Sequence, residues 1–451
     1  MEQKKTINKK LIAIIAIVAA IFCVVVAISV TAIGEHRKER VVEQLNLAEQ
    51  YLSELDYEAA IAAYEAAIEI DPMCVEAYLG MADAYVALGD YENARDILEK
   101  GYEATGDEEI LRMLERMPVF LPWSEAGLED HVMDWQDANL EAAMREITGI
   151  QTGDIMLSDV WEITRLELSG RGISNIDALG ELVNLQILIM DENYISNISA
   201  LSELTNLQIL VMETNNISEI SALSELTNLS YLNMGNNNIS DISVLSELTN
   251  LTSLALYDNN IIDISGLSSM SNLTYLNLER NNISDISILS GLMNLTILGL
   301  GSNNISDISV LSNLTNLTVL YLTKNNISDI SPLSGLTNLT ELYLTKTNIS
   351  DFSVLSGLTS LTDLELGENN ISDISVLSGL TNLAFLKLDN NSISDITALS
   401  GLTNLISLYL DNNNISDISA LSGLTNLQIL WLFGNDISDY SPVSFVPDLQ
   451  Y

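Results

Sequence analysis

The chain has 451 residues, 62 of them acidic and 18 basic, for a formal net charge of −44. That length holds more than one domain, and that acidity excludes nucleic acid, whose phosphate backbone attracts basic surfaces, and argues against the acidic bulk lying on an anionic bilayer. It permits a basic partner or divalent cations, and it also keeps the surface soluble.

Residues 1–10 carry Lys4, Lys5, Lys9 and Lys10 and read as a cytoplasmic tail. Residues 11–33 come next as 23 residues without a charge. As a helix they span roughly 34 Å, enough for a hydrocarbon core of about 30 Å. The run predicts a single-pass membrane anchor with the N-terminus cytoplasmic and the bulk of the chain outside. The alternative is a signal peptide cleaved near Ala32, giving a secreted chain. There are two cysteines, Cys23 in this run and Cys74 between two predicted helices, which make no disulfide framework. Cys74 is expected to be a half-buried thiol.

Residues 41–117 change pattern. Tyr51, Asp56, Tyr57, Ala60 and Tyr64 return at a constant offset as Tyr85, Asp90, Tyr91, Ala94 and Leu98. Each unit is two amphipathic helices with a small residue where they cross. The pattern, with Pro72 closing the first unit, resembles the tetratricopeptide (TPR) repeat. Residues 107–117 read as a capping helix. Two units are fewer than a stable array usually needs, so this all-α module is expected to bind a peptide, to self-associate or to act as a spacer.

Residues 118–137 hold two prolines and two tryptophans without a clean period and read as a linker packing partly on the next element. Residues 138–162 begin with a helix. Leu140, Ala143, Met144 and Ile147 form its apolar stripe, Gly149 ends it, and its place in the chain suits a cap on the array behind it.

From Ile163 onward a 22-residue unit repeats thirteen times without insertion, through 163–448. Counted from its first leucine, each unit is apolar at positions 1, 4, 6, 11, 14, 17 and 20. L-x-x-L-x-L centres on a short strand, and the apolar spacing of three after it suits 3₁₀ turns. One coil buries too little to stand alone, so neighbours must stack. The fold class expected is therefore an α/β solenoid, with a parallel sheet about 60 Å long along one side and turns on the other. Position 9 is asparagine in most coils and is expected inside, where a carboxamide can both donate to and accept from neighbouring backbone. Arg171 holds that place in the first coil and Thr347 in the ninth, which makes the ninth the expected loosest joint.

The cap (NLEAAMREITG) and the coil pattern L-x-x-L-x-L-x-x-N-x-I-S-D-I-S-x-L-S-G-L-T-N resemble the internalin-type leucine-rich repeat proteins of bacteria over roughly 138–448. The resemblance implies a gently curved solenoid whose concave sheet binds a protein, as in surface adhesins. The chain differs in ending at PVSFVPDLQY, without a sorting signal, immunoglobulin-like module or wall-binding repeats. It carries an anchor and TPR units in front instead, so the binding role carries over and host invasion does not.

Positions 3, 5, 7 and 8 should point outward from the sheet. Two clusters emerge there: Ile187, Ile189, Ile209 and Val211 near one end, and Phe385, Tyr409, Trp431 and Phe433 near the other. Between them Tyr321 and Tyr343 lie close in sequence to the rare basic residues Lys324 and Lys346. Grouped aromatics on a variable face are typical of protein-binding hot spots, so these twelve residues are the candidate protein-binding site. Position 13 is an aspartate in ten coils. Its expected role is to accept backbone N–H groups of its own turn, the alternative being a cation-binding ridge. The two histidines, His36 and His131, have no companion at metal-ligand spacing, and no nucleophile or phosphate-loop motif is visible. No enzyme activity, metal or cofactor is expected. The role expected is adhesion or docking of a protein outside the cytoplasm. The alternative is an envelope scaffold assembled through 41–117.

Overall fold

The computed structural model describes residues 37, 38, 40–52, 56–88, 90–116, 121–349 and 351–451. The expected anchor, 11–33, lies outside them, together with Cys23 and His36. Among the described residues no helix is long and apolar enough to cross a membrane. The chain divides between residues 120 and 121 into two compact units.

In the first unit the helices are α1 (residues 40–52), α2 (Tyr57–Ile70), α3 (Val75–Ala87), α4 (Tyr91–Thr105) and α5 (Glu108–Arg116). Asp56 and Asp90 cap α2 and α4 by accepting from the Ala59 and Asn93 backbone N–H groups, as a short side-chain acceptor should at an N-cap. Ala60 and Ala94, the small residues expected at the crossings, are completely buried. Helix α5 seats Ile110 against Tyr78, Ala82 and Leu98 and so covers the last apolar face. Cys74 is more enclosed than expected. It is the residue before α3, it is buried, and that burial raises its thiol pKa.

The second unit starts at Leu121. Residues 121–137 pack on the array: the Leu121 N–H donates to Asn184 Oδ1, and Trp161 Nε1 donates to the Leu121 carbonyl. Trp123 meets Trp161 edge-on at 5.6 Å. Residues 121–162 contain three further helices, α6 (Trp123–Ala126) in the expected linker and α7 (Ala138–Thr148) and α8 (Leu157–Val160) in the cap. Helix α7 buries Leu140, Ala143 and Met144 as the stripe requires, and Gly149 ends it in the left-handed region. Ile147, expected on that stripe, falls on the last turn of the helix and is exposed.

Fourteen parallel strands of three residues each come next, from β1 (Arg165–Glu167) to β14 (Asp448–Gln450), in unbroken sequence order among the described residues. That is one more strand than thirteen coils supply. The final step, from Ile429 to its partner Asp448, is shorter than one repeat, so β14 falls outside the period of the coils. A 3₁₀ turn follows each of the first thirteen strands, and one aliphatic column at the seven inward positions joins cap and coils in a single core.

The position 9 asparagines are buried as expected, except Asn391 and Asn435, which are half-buried. Asn325 shows their work: its Oδ1 accepts from the Ile305 N–H (3.0 Å), while Nδ2 donates to the Leu300 (2.9 Å) and Leu322 (3.0 Å) carbonyls. One amide thus ties two coils. A second ladder lies at position 22, where Asn338 Nδ2, for example, donates to the Thr315 carbonyl at 2.9 Å.

Both ladders are altered at the ninth coil. Thr347 Oγ1 reaches its own coil's Leu344 carbonyl and Asn369, but has no amide to offer the eighth coil. Ser360 replaces the position 22 asparagine. Next door Asn370 is left-handed (φ 58°) at position 10, a conformation no other described residue at that position takes except the glycine of the first coil. An open groove lined by Asn348, Ile349, Phe352, Asn370 and Ile371 marks the junction. Thr347→Asn is expected to restore the ladder and raise stability by about 1–2 kcal/mol. An unchanged urea midpoint would refute this account of the joint.

Candidate functional site

A strand alternates its side chains, so positions 4 and 6 enter the core while 3, 5 and 7 line the sheet face. In-register pairing then sets like positions side by side on adjacent strands.

The aliphatic cluster forms by this register. Ile187 pairs with Ile209, and Ile189 with Val211, all four half-buried. Tyr321 and Tyr343 are also cross-strand partners, with rings stacked at 4.5 Å and 11° between planes. The Tyr343 hydroxyl donates to Glu341 Oε2 at 2.8 Å. Burial, and then this carboxylate, raise the Tyr343 pKa, so the phenol stays protonated. Lys324 and Lys346 are exposed and left-handed at position 8 (φ 56° and 57°). Lys346 Nζ lies 3.4 Å from Glu368 of the next coil. Both lysines thus stand at the strand exit, outside the strands that carry the stacked rings.

The aromatic cluster is continuous. Ring centroids are 5.4 Å apart from Phe385 to Tyr409, 5.0 Å from Tyr409 to Trp431 and 6.0 Å from Trp431 to Phe433. Trp431 and Phe433 are 36% and 40% exposed, which is high for rings of that size in contact with neighbours. All twelve candidate residues are half-buried or exposed, ten of them on the sheet side and the two lysines at the strand exits.

Position 7 holds what residue types alone did not reveal. Tyr257 lies flat over Gly235, where an added Cβ would come within 2.5 Å of its ring. The vacancy lets the phenol reach back two coils to Glu213, and burial together with that carboxylate raises its pKa. Asp389 and Asp411, also at position 7, are buried beside the aromatic cluster. The available signal was the run Asp-Asn after Leu388 and again after Leu410, next to Lys387 and Tyr409.

On the turn side, the position 13 aspartates accept backbone N–H groups two residues on, as in Asp307 to Ser309 and Asp373 to Ser375, both at 2.8 Å. Hydrogen bonds from the serine backbone and then its hydroxyl lower the pKa of both carboxyls. Each of these carboxylates thus has a structural role within its own turn. His131 sits in the cap, with Nε2 2.9 Å from Glu181.

A family model described as leucine rich repeats (2 copies) matches residues 205–247, 227–269, 249–291, 271–313, 315–357, 359–401 and 403–442, more than half of the chain. A tetratricopeptide repeat model matches residues 51–117. No curated protein matches. Among solved structures, an internalin (inlF) from Listeria monocytogenes is 38% identical with a TM-score of 0.67, over 70% of this chain and 95% of that one. The functional domain of InlJ from the same organism is 23% identical with a TM-score of 0.57, over 71% and 79% of the two chains, a likeness of fold. A plant peptide hormone receptor, RGFR1, solved in complex with RGF2, is 28% identical with a TM-score of 0.53, over 62% of this chain and 48% of that one.

Proposed function

This chain belongs to the leucine-rich repeat family, with a solenoid of the internalin type, and from that premise we propose that it captures a protein partner on the sheet face of its coils. The observation that carries this reading is the continuous aromatic series Phe385, Tyr409, Trp431 and Phe433, half-buried at its first two rings and exposed at its last two, on the face where the coils differ most. Large rings held by their neighbours lose little side-chain entropy on binding and offer wide apolar area. A plant peptide hormone receptor of similar fold, RGFR1, is seen in complex with RGF2, so a solenoid of this kind can hold a protein or peptide partner.

The proposal includes the placement of the chain. Residues 11–33 hold it in the cell membrane as a single pass, with residues 1–10 cytoplasmic and the coils outside. The support is 23 uncharged residues behind four lysines. Cleavage near Ala32 is the alternative and leaves the binding role unchanged. Protease added to intact cells is expected to remove the coils, and a chain that survives whole counts against this placement.

The binding reading is tested with the full chain carrying a photoreactive residue in place of Ser407, beside Tyr409 on the sheet face. Irradiation of intact cells is expected to give one discrete adduct. Tyr409→Ala combined with Trp431→Ala is expected to reduce it at least tenfold while the melting temperature changes little, since both rings lie outside the core. Full adduct yield in the double variant would refute the use of this face.

A further inference from the structure

Two buried carboxylates at position 7, on the coils that carry Phe385 and Tyr409, are not accounted for by the fold. Lys387 pairs in register with Tyr409, so Asp389 and Asp411, two residues further along each, lie side by side on adjacent coils about 5 Å apart. Both are buried, at 9% and 6% exposure. Asp389 Oδ2 accepts from Asn390 Nδ2 at 2.7 Å, and Asp411 Oδ2 accepts from Asn412 Nδ2 at 3.0 Å. Asp389 Oδ1 has no hydrogen-bond partner among the described residues. The cation beside it, Lys387 Nζ, is 3.9 Å away. One ammonium thus serves two enclosed carboxylates, and a buried polar atom without a hydrogen bond is costly unless something later supplies one. The Asp411 carboxyl is pushed up, first by burial and then by Asp389. Tyr409 lies two residues before Asp411 on its coil, and the pairing of Tyr409 with Trp431 sets Phe433 beside Asp411 on the next; aromatic ring faces attract cations. In the two coils before the series the same side of the array also carries Glu341, Asp363, Glu365 and Glu368, with Lys346 as the base among them.

We propose that this end of the sheet face takes a basic side chain of the partner: an arginine or lysine on an extended segment, its cation laid against Tyr409 and Trp431 and neutralised by Asp389 and Asp411. The inference rests on the protein-binding reading and adds the chemistry of the partner. The aromatic rings supply area, and the carboxylates select charge. Because the pair is enclosed, its attraction for a cation is less screened by salt than that of the outer acidic residues.

The probe is a fluorescent, acetylated and amidated peptide of arginines spaced by glycine, titrated against the full chain at physiological salt. Its counterpart has citrulline at every arginine, which keeps the shape and removes the charge. The arginine peptide is expected to bind and the citrulline peptide to bind at least tenfold more weakly. Asp389→Asn with Asp411→Asn is expected to weaken the arginine peptide at least tenfold. Asp373→Asn with Asp395→Asn, which removes the same charge from the turn side, is expected to change it less than twofold. Equal weakening by the two double variants would show diffuse attraction to an acidic chain and overturn the proposal, as would equal binding of the two peptides. The photo-adduct from position 407 reports separately on the parent reading. An adduct that persists in the Asp389→Asn, Asp411→Asn chain, with no preference for the arginine peptide, would sink this inference alone.

Discussion

Asn281→Asp is expected to cost the array roughly 3–5 kcal/mol at pH 7. In the native chain Asn281 Nδ2 donates to the carbonyls of Leu256 (2.9 Å), Leu278 (3.1 Å) and Glu279 (3.2 Å), and Oδ1 accepts from the Ile261 N–H at 2.9 Å. The side chain is buried at 6% exposure. An aspartate keeps the acceptor and loses both donors. It also sets a carboxylate oxygen against three carbonyl oxygens with no cation to offset it. Burial raises such a carboxyl's pKa, so the variant carries its penalty at neutral pH and recovers part of it as pH falls and the protonated acid donates again. Asn281→Ala removes the donors without adding a charge and is expected to cost less, about 2–3 kcal/mol. Stacked coils draw most of their contacts from their neighbours, so a fault in the sixth coil also weakens the coupling of the two sides. Urea unfolding of Asn281→Asp should therefore start earlier and spread into two steps. A single transition at the parental midpoint would refute the role given to this ladder.

Asp137→Asn is expected to loosen the front of the array. The Asp137 carboxylate joins the cap to the first coil. Oδ1 accepts from the Asn139 (2.9 Å) and Leu140 (3.1 Å) N–H groups at the start of α7. Oδ2 accepts from the Ser174 N–H (2.8 Å), the Ser174 hydroxyl (2.9 Å) and the Asn175 N–H (3.1 Å). Burial works against the charge, but these donors outweigh it and bring the pKa down to about 2. A carboxyl whose folded pKa is depressed stabilises the fold above its unfolded value of about 4 and loses that contribution as pH falls toward 2. The size is about 2 kcal/mol, since each pKa unit is worth about 1.4 kcal/mol. An asparagine there turns an NH₂ group toward donors on one side or the other. The expected loss is about 2–4 kcal/mol, confined to the cap and first coils. Hydrogen exchange at the Leu168 amide, which donates to the Ile189 carbonyl, should rise in the variant while that at Leu388 does not. The parental chain should lose protection at Leu168 between pH 5 and pH 2, and the variant should lack that dependence. Matching exchange profiles in the two chains would refute the assignment.

Much of this molecule is legible because its information is periodic. Leucines at positions 1, 4 and 6 and the apolar spacing of three after them each have one low-energy reading once thirteen copies agree. The position 9 asparagine is likewise legible, because a polar residue locked between apolar neighbours must satisfy itself on backbone. The alanines at 60 and 94 mark helix crossings for a similar steric reason. The position 22 asparagines were equally regular in the sequence, but a polar residue beside a turn is common on surfaces, and their bonds run to the coil before.

The sequence by itself determined the repeat, its register, the inward set and the face that varies, because a strand has two faces and a strict period leaves no choice between them. Only the tertiary structure decided what shares a surface with what. Tyr257 reaches Glu213 because Gly235 leaves its ring a place to lie. Asp389 and Asp411 meet because one full repeat of chain returns to within one strand spacing. The shortened step to β14 became visible only when Asp448 paired with Ile429. These are contacts across coils, and no single coil contains both partners.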